Sequence, residues 1–100
     1  MRQITRDAIN AFRNAENFKR DNTQVIIHRE SHGTTRELKL HGNTIAIYIK
    51  GELAISAGGW KSRTTKERLN GFPNVHIQQK DFEWYLNGEL WDGYGKVVSL

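Results

Sequence analysis

Residues 5–17 place Ala8, Ile9, Phe12 and Ala15 on one stripe at helical spacing, with Arg6, Arg13, Asn14 and Asn17 opposite. Thr5 stands where an N-cap would accept from free backbone N–H groups, and Ile4 and Ile9 are spaced for a hydrophobic staple. Asp21-Asn22 carries turn chemistry and closes the element. From Thr23 the period becomes two. Val25 and Ile27 alternate with Gln24 and His28, and Ile26 falls out of phase. Ser31-His32-Gly33-Thr34 reads as a loop, Thr35 to Leu40 alternates through Leu38 and Leu40, and Gly42-Asn43 reads as a two-residue turn. Ile45, Ile47 and Ile49 then fall on one face with Ala46 and Tyr48 on the other, and Gly51-Glu52 turns the chain into Leu53, Ile55 and Ala57. Four strands with tight connections predict an antiparallel meander near residues 23–57, with Ile45, Ile47, Leu53 and Ile55 among its most buried side chains.

Gly58-Gly59 breaks this pattern, and Thr64-Thr65-Lys66-Glu67 has the form of a capping box opening a short helix whose apolar anchor is Leu69. Gly71 and Pro73 stop it. Val75 and Ile77 alternate with His76 and Gln78, and Phe82, Trp84 and Leu86 alternate with Glu83 and Tyr85. Asn87-Gly88 is the strongest hairpin signal in the chain, folding Glu89 to Tyr94 back on Phe82 to Leu86. That register sets Trp84 opposite Trp91 and Tyr85 opposite Leu90. The tail from Gly95 to Leu100 either adds an edge strand or frays. The expected fold is α+β: an N-terminal helix, a four-strand antiparallel meander, a short helix and a C-terminal β-hairpin.

One hundred residues suit a single domain, residues 1–100, and the 37% hydrophobic fraction suffices for a modest core. Fifteen Lys and Arg against 11 Asp and Glu give a net charge of +4, a tilt toward nucleic acid or acidic protein partners. The absence of Cys excludes disulfides, thiolate metal sites and a Cys nucleophile, and fits a reducing compartment. The opening Met1-Arg2-Gln3-Ile4-Thr5-Arg6-Asp7 lacks the apolar core of a signal peptide, and no run approaches the ~18 apolar residues of a membrane span. The expected location is the cytoplasm, with no membrane partner.

Three segments carry a resemblance: Leu40-His41-Gly42-Asn43-Thr44-Ile45-Ala46, Gly59 to Asn70, and Trp84-Tyr85-Leu86-Asn87-Gly88 with Trp91-Asp92-Gly93. Together with Ile4-Thr5-Arg6-Asp7-Ala8, their order and spacing resemble a family of short proteins encoded mainly by tailed bacteriophages and related mobile elements. The resemblance implies an accessory protein expressed in a bacterial host, and it carries no activity with it. Because short phage accessory proteins often bind and disable host or defence machinery, it implies a binding role.

The chemistry-bearing segment is Trp60 to Arg68. Lys61, Arg63, Lys66 and Arg68 put four positive charges within eight residues, Ser62, Thr64 and Thr65 add hydroxyls, and Trp60 offers a stacking or pocket-filling ring. The same residues also suit a capped, solvated helix with Trp60 in the core. Trp91 and Tyr94, with Trp84 and Tyr85, form a second aromatic group that serves either a sheet core or a contact patch. His28 and His32 have helical ligand spacing but fall on a strand end and a loop, so no metal site is expected. No Gly-rich phosphate loop, nucleophile–base pair or cofactor motif is legible. The expectation is a non-enzymatic protein that binds and inhibits or modulates a host protein or nucleoprotein complex, such as a polymerase, a nuclease or a CRISPR effector. Direct nucleic-acid binding through the same basic and aromatic patch, or a virion or structural oligomer, are the alternatives.

Overall fold

Two-residue turns organise this chain, because they return each strand antiparallel beside its predecessor with its side-chain alternation intact. In the computed structural model, which describes all 100 residues, helix α1 (Gln3–Arg13) leads into β1 (Phe18–Arg20), β2 (Thr23–Glu30), β3 (Gly33–Leu40), β4 (Asn43–Ile49) and β5 (Glu52–Ile55). Helix α2 (Arg63–Leu69) follows, then β6 (Ile77–Lys80), β7 (Glu83–Leu86), β8 (Glu89–Trp91) and β9 (Lys96–Val98). The expected α+β class and N-terminal helix are present. The meander is wider than expected: β1 extends one edge and β9 returns to pair with β5, giving the order β1-β2-β3-β4-β5-β9. The C-terminal unit is a three-stranded sheet, β6-β7-β8, in which Trp84 opposes Trp91 and Tyr85 opposes Leu90 as the Asn87-Gly88 turn requires.

Several boundaries depart from the sequence reading for local reasons. Thr5 is not a cap: α1 starts two residues earlier, behind Arg2, and Thr5 is buried within its first turn. The helix ends at Arg13 because Ala15 adopts a left-handed conformation, φ 55°. The turns after β3 and β4 are centred on His41-Gly42 and Lys50-Gly51, so Asn43 and Glu52 are strand residues. Within β4, Thr44 faces Lys39 and Ala46 faces Leu38, leaving Ile45 as the extra residue of a β-bulge. The bulge shifts the alternation by one. Ile45 and Ala46 are both buried, whereas Ile47 is only half-buried and Ile49 is exposed on the far face. Ile45, Leu53 and Ile55 therefore take their expected core positions and Ile47 does not.

Phe18, Val25, Leu38, Ala46 and Ile55 form one row across the inner face, and α1 covers it with Ala8, Ile9, Ala11 and Phe12. These residues join Leu69, Phe72, Val75, Trp84 and Trp91 in one contiguous core that runs beneath both sheets. Each such large side chain contributes about 1.5–3 kcal/mol by leaving water. Phe12 and Phe72 meet edge to face with centroids 5.1 Å apart. A Cβ on Gly71 would stand 2.6 Å from Ile9 Cγ1, so only glycine lets this segment lie against α1. Arg36 reaches from β3 to the end of α1, donating to the Phe12 and Arg13 carbonyls at 3.3 and 3.0 Å, where a cation complements the helix dipole. No helix is long and apolar enough to cross a membrane.

Candidate functional site

The Trp60 segment leaves the large sheet after β5 and runs over its end to α2. Ser62 caps α2: its Oγ accepts from the Thr65 backbone N–H at 3.0 Å and lies 2.9 Å from the Thr65 hydroxyl. Thr64, the expected cap, is the second residue inside the helix. Glu67 does not return to the cap either; its carboxylate accepts from the Thr5 hydroxyl and from Arg68.

Arg68 is the largest correction to the basic segment. Its side chain is 1% exposed and lies in the interior, where Nε donates to the Thr23 hydroxyl at 3.0 Å and a terminal nitrogen donates to the Thr5 hydroxyl at 2.9 Å. The guanidinium ties α2 to α1 and β2 and is inaccessible to a partner. Thr65 is also buried, and Lys66 is half-buried. Trp91 is buried too, its indole N–H donating to the Tyr94 carbonyl at 2.8 Å and its ring packed at 6.1 Å from Trp84. It belongs to the core.

The remaining candidates come together at the surface. Trp60 is 74% exposed and Tyr94 75% exposed. Gly93 links their neighbourhoods: its carbonyl accepts from the Ala57 N–H at 2.7 Å, and a Cβ added there would stand 3.0 Å from Lys61 Cε. The Lys61 stem thus lies across the backbone preceding Tyr94, and Arg63 is exposed two residues further on. Beside Trp60 opens a cleft of about 390 Å³, floored by Leu40, Ile45 and Ala57 and edged by His41, Asn43 and Ser62. The β4 bulge builds part of this floor, since it is what brings Ile45 inward. An apolar floor with an exposed indole and peripheral cations can accept an aromatic or aliphatic side chain with an acidic neighbour.

The cleft residues Leu40, His41, Asn43 and Ile45 carry no signal beyond ordinary strand and turn chemistry, and only the bulge and chain crossing assemble them. The burial of Arg68 does have one: Thr65, Arg68 and Leu69 share a helical face at i, i+3 and i+4. The histidines are dispersed, His28 pairing with Glu37 and His32 with Glu30, each at 3.1 Å.

Neither a curated protein nor a solved structure matches the chain. A family model does, over residues 1–96, in agreement with the expectation of a phage-encoded family. The chain belongs to the Kyanoviridae Gp96 protein family, a family of phage proteins.

Proposed function

We propose that this phage protein is a non-enzymatic accessory factor that docks on a host protein or nucleoprotein complex in the bacterial cytoplasm and inhibits or modulates it. The observation that carries the reading is Trp60, an indole left 74% exposed at the mouth of an apolar cleft. A large aromatic in the free protein with nothing over it is the side chain that most often dominates protein interfaces. Exposed Tyr94 and Arg63 add residue types enriched at interfaces, and Lys61 adds a second surface cation.

The charge distribution favours a protein contact over direct phosphate binding. Of the four cations in the segment, Arg68 is internal and Lys66 half-buried, which leaves Lys61 and Arg63 fully at the surface. Two exposed cations beside an apolar cleft suit an acidic or aromatic protein face better than a nucleic-acid backbone, whose binding relies on several phosphate contacts.

The test is affinity capture from host lysate with the wild-type chain and with Trp60→Ala, before and after nuclease treatment. A stoichiometric host protein retained after nuclease, and lost with Trp60→Ala, is the expected result. Capture that vanishes on nuclease treatment, with affinity falling log-linearly in salt, would instead identify nucleic acid as the direct partner. A partner bound equally by Trp60→Ala would move the interface elsewhere.

A further inference from the structure

A type I′ hairpin turn needs positive φ at both central residues, which favours Asn, Asp or Gly. His41-Gly42, Lys50-Gly51 and Asn87-Gly88 all supply Gly at the second position. The turn between β6 and β7 does not. There Asp81 and Phe82 occupy the two positions with φ 53° and 68°, and the Phe82 side chain is 95% exposed. A bulky aromatic in the left-handed region is an unfavourable backbone choice, and this one recovers nothing by burial. Strain retained on an otherwise regular hairpin points to a role for the side chain outside the isolated chain.

The neighbours of Phe82 indicate what it meets. Asp81 and Glu83 flank it, against a single cation in Lys80, so the tip is net acidic on a net basic protein. That disfavours a phosphate backbone or an anionic surface and favours an apolar recess rimmed by cations. The chain carries such a recess itself, in the 390 Å³ cleft with Trp60 at its mouth and Lys61 and Arg63 beside it. Phe82 also lies beyond the same end of the small sheet as Gly93. Trp84 pairs with Trp91, Phe82 comes two residues before the one, and Gly93 two residues after the other, packed on Ala57 and Lys61.

We propose that the chain forms a two-fold dimer in which Phe82 of each copy enters the Trp60 cleft of the other, with Asp81 and Glu83 facing Lys61 and Arg63. Because knob and recess occupy one end of the molecule, a single two-fold axis satisfies both contacts and closes the assembly, as isologous interfaces do. The second copy would occupy the same Trp60 cleft that host docking uses, so the two contacts compete for one surface, and the dimer is tested on the purified chain alone.

Sedimentation equilibrium from micromolar to millimolar concentration is the measurement, with the Trp60 emission followed in parallel. The wild-type chain is expected to dimerise, shifting that emission to the blue as the indole is covered. Phe82→Gly should weaken dimerisation at least about 30-fold, the scale of a hot-spot side chain, while raising the melting temperature measured at dilution, where both chains are monomeric, because Asp-Gly suits the turn. A gain in stability excludes misfolding as the cause of lost association. Two charge variants complete the test: Asp81→Lys with Glu83→Lys, and Lys61→Glu with Arg63→Glu. Each is expected to be monomeric alone, because its tip and rim then carry like charge, and the two are expected to form a heterodimer when mixed. A wild-type chain that stays monomeric at millimolar concentration overturns the proposal. So does a dimer indifferent to Phe82→Gly, or a mixture of charge variants that fails to pair. If Phe82→Gly abolishes capture of a host protein while the wild-type chain is monomeric, the tip serves a foreign partner and the second copy is excluded.

Discussion

Arg68 illustrates how one residue can change meaning between sequence and structure. In sequence it is the last of four cations in a basic run; in the fold its guanidinium satisfies Thr5, Thr23 and Glu67 in the interior. Removing Arg68 leaves the buried Thr5 and Thr23 hydroxyls without that donor and the half-buried Glu67 without its cation. Arg68→Ala is therefore expected to cost at least about 1–3 kcal/mol, read as a lower urea midpoint at constant m-value. An unchanged midpoint would show that the cluster contributes nothing. Lys61→Glu and Arg63→Glu, both at exposed positions, should leave that midpoint, measured on the monomer at dilution, within about 0.5 kcal/mol of its starting stability. Glu37 supplies the pH dependence. Partial burial opposes its ionisation, but hydrogen bonds from Thr44 and His28 and the nearby Lys39 charge outweigh this and hold the carboxyl below its ordinary value of 4.5. A depressed folded pKa means that its stabilisation is complete above the unfolded value and is lost as pH falls through the lower folded one. Stability should decline from just above pH 4.5 downward, and Glu37→Gln should flatten that decline in acid titrations followed by circular dichroism. Asp7 adds in the same direction, held down by hydrogen bonds from Arg20 and Gln3.

At the scale of elements, legibility followed the strength of local chemistry. Period-two alternation with Gly-containing turns located β2 to β5, and Asn87-Gly88 fixed the Trp84–Trp91 register. The misses arose where tertiary packing overrode pattern. The β4 bulge changed which face Ile47 occupies, and Phe82, a good strand residue by type, became a turn residue because Lys80 pairs with Glu83. At α2 the expected cap was Thr64, and the backbone placed Ser62 there instead. Ser62→Ala should thus cost about 0.5–2 kcal/mol while Thr64→Ala costs little, as compared in parallel denaturant curves. Equal losses would mean that the cap is shared. The Trp84–Trp91 pair should show a coupling of about 0.5–1.5 kcal/mol in a double-mutant cycle, beyond the loss from burial alone.

For the molecule as a whole, the chemistry-bearing Trp60 segment was legible in the sequence, and the fold then divided that segment into a surface part and an interior part. Trp60, Lys61, Arg63 and Tyr94 remain outside; Thr65, Arg68 and Trp91 do not. No linear pattern distinguishes an exposed Trp60 from a buried Trp91, because the difference depends on chain segments that meet only after folding. It can be read in solution. At concentrations low enough for the chain to be monomeric, quenching by acrylamide should reach one tryptophan readily and spare two, and Trp60→Phe should remove the accessible component without altering the melting temperature. A uniformly protected emission would contradict an open Trp60.

The return of β9 to β5 bears on the order in which the molecule assembles. Strands β1 to β5 need only neighbours that precede or immediately follow them, and such local pairings close quickly with little loop entropy. The pairing of Leu53 with Val98 spans nearly half the chain and must wait for α2 and the small sheet between them. Val98 should therefore contribute to unfolding rate more than to folding rate, giving a low φ-value, whereas Leu38 in the meander gives a higher one. Until β9 arrives, β5 is an open edge with unpaired backbone groups, the kind of surface along which nascent chains join one another. Strand β9 would then act as the seal against that fate, and shortening it should lower the yield of folded protein before it measurably lowers its stability.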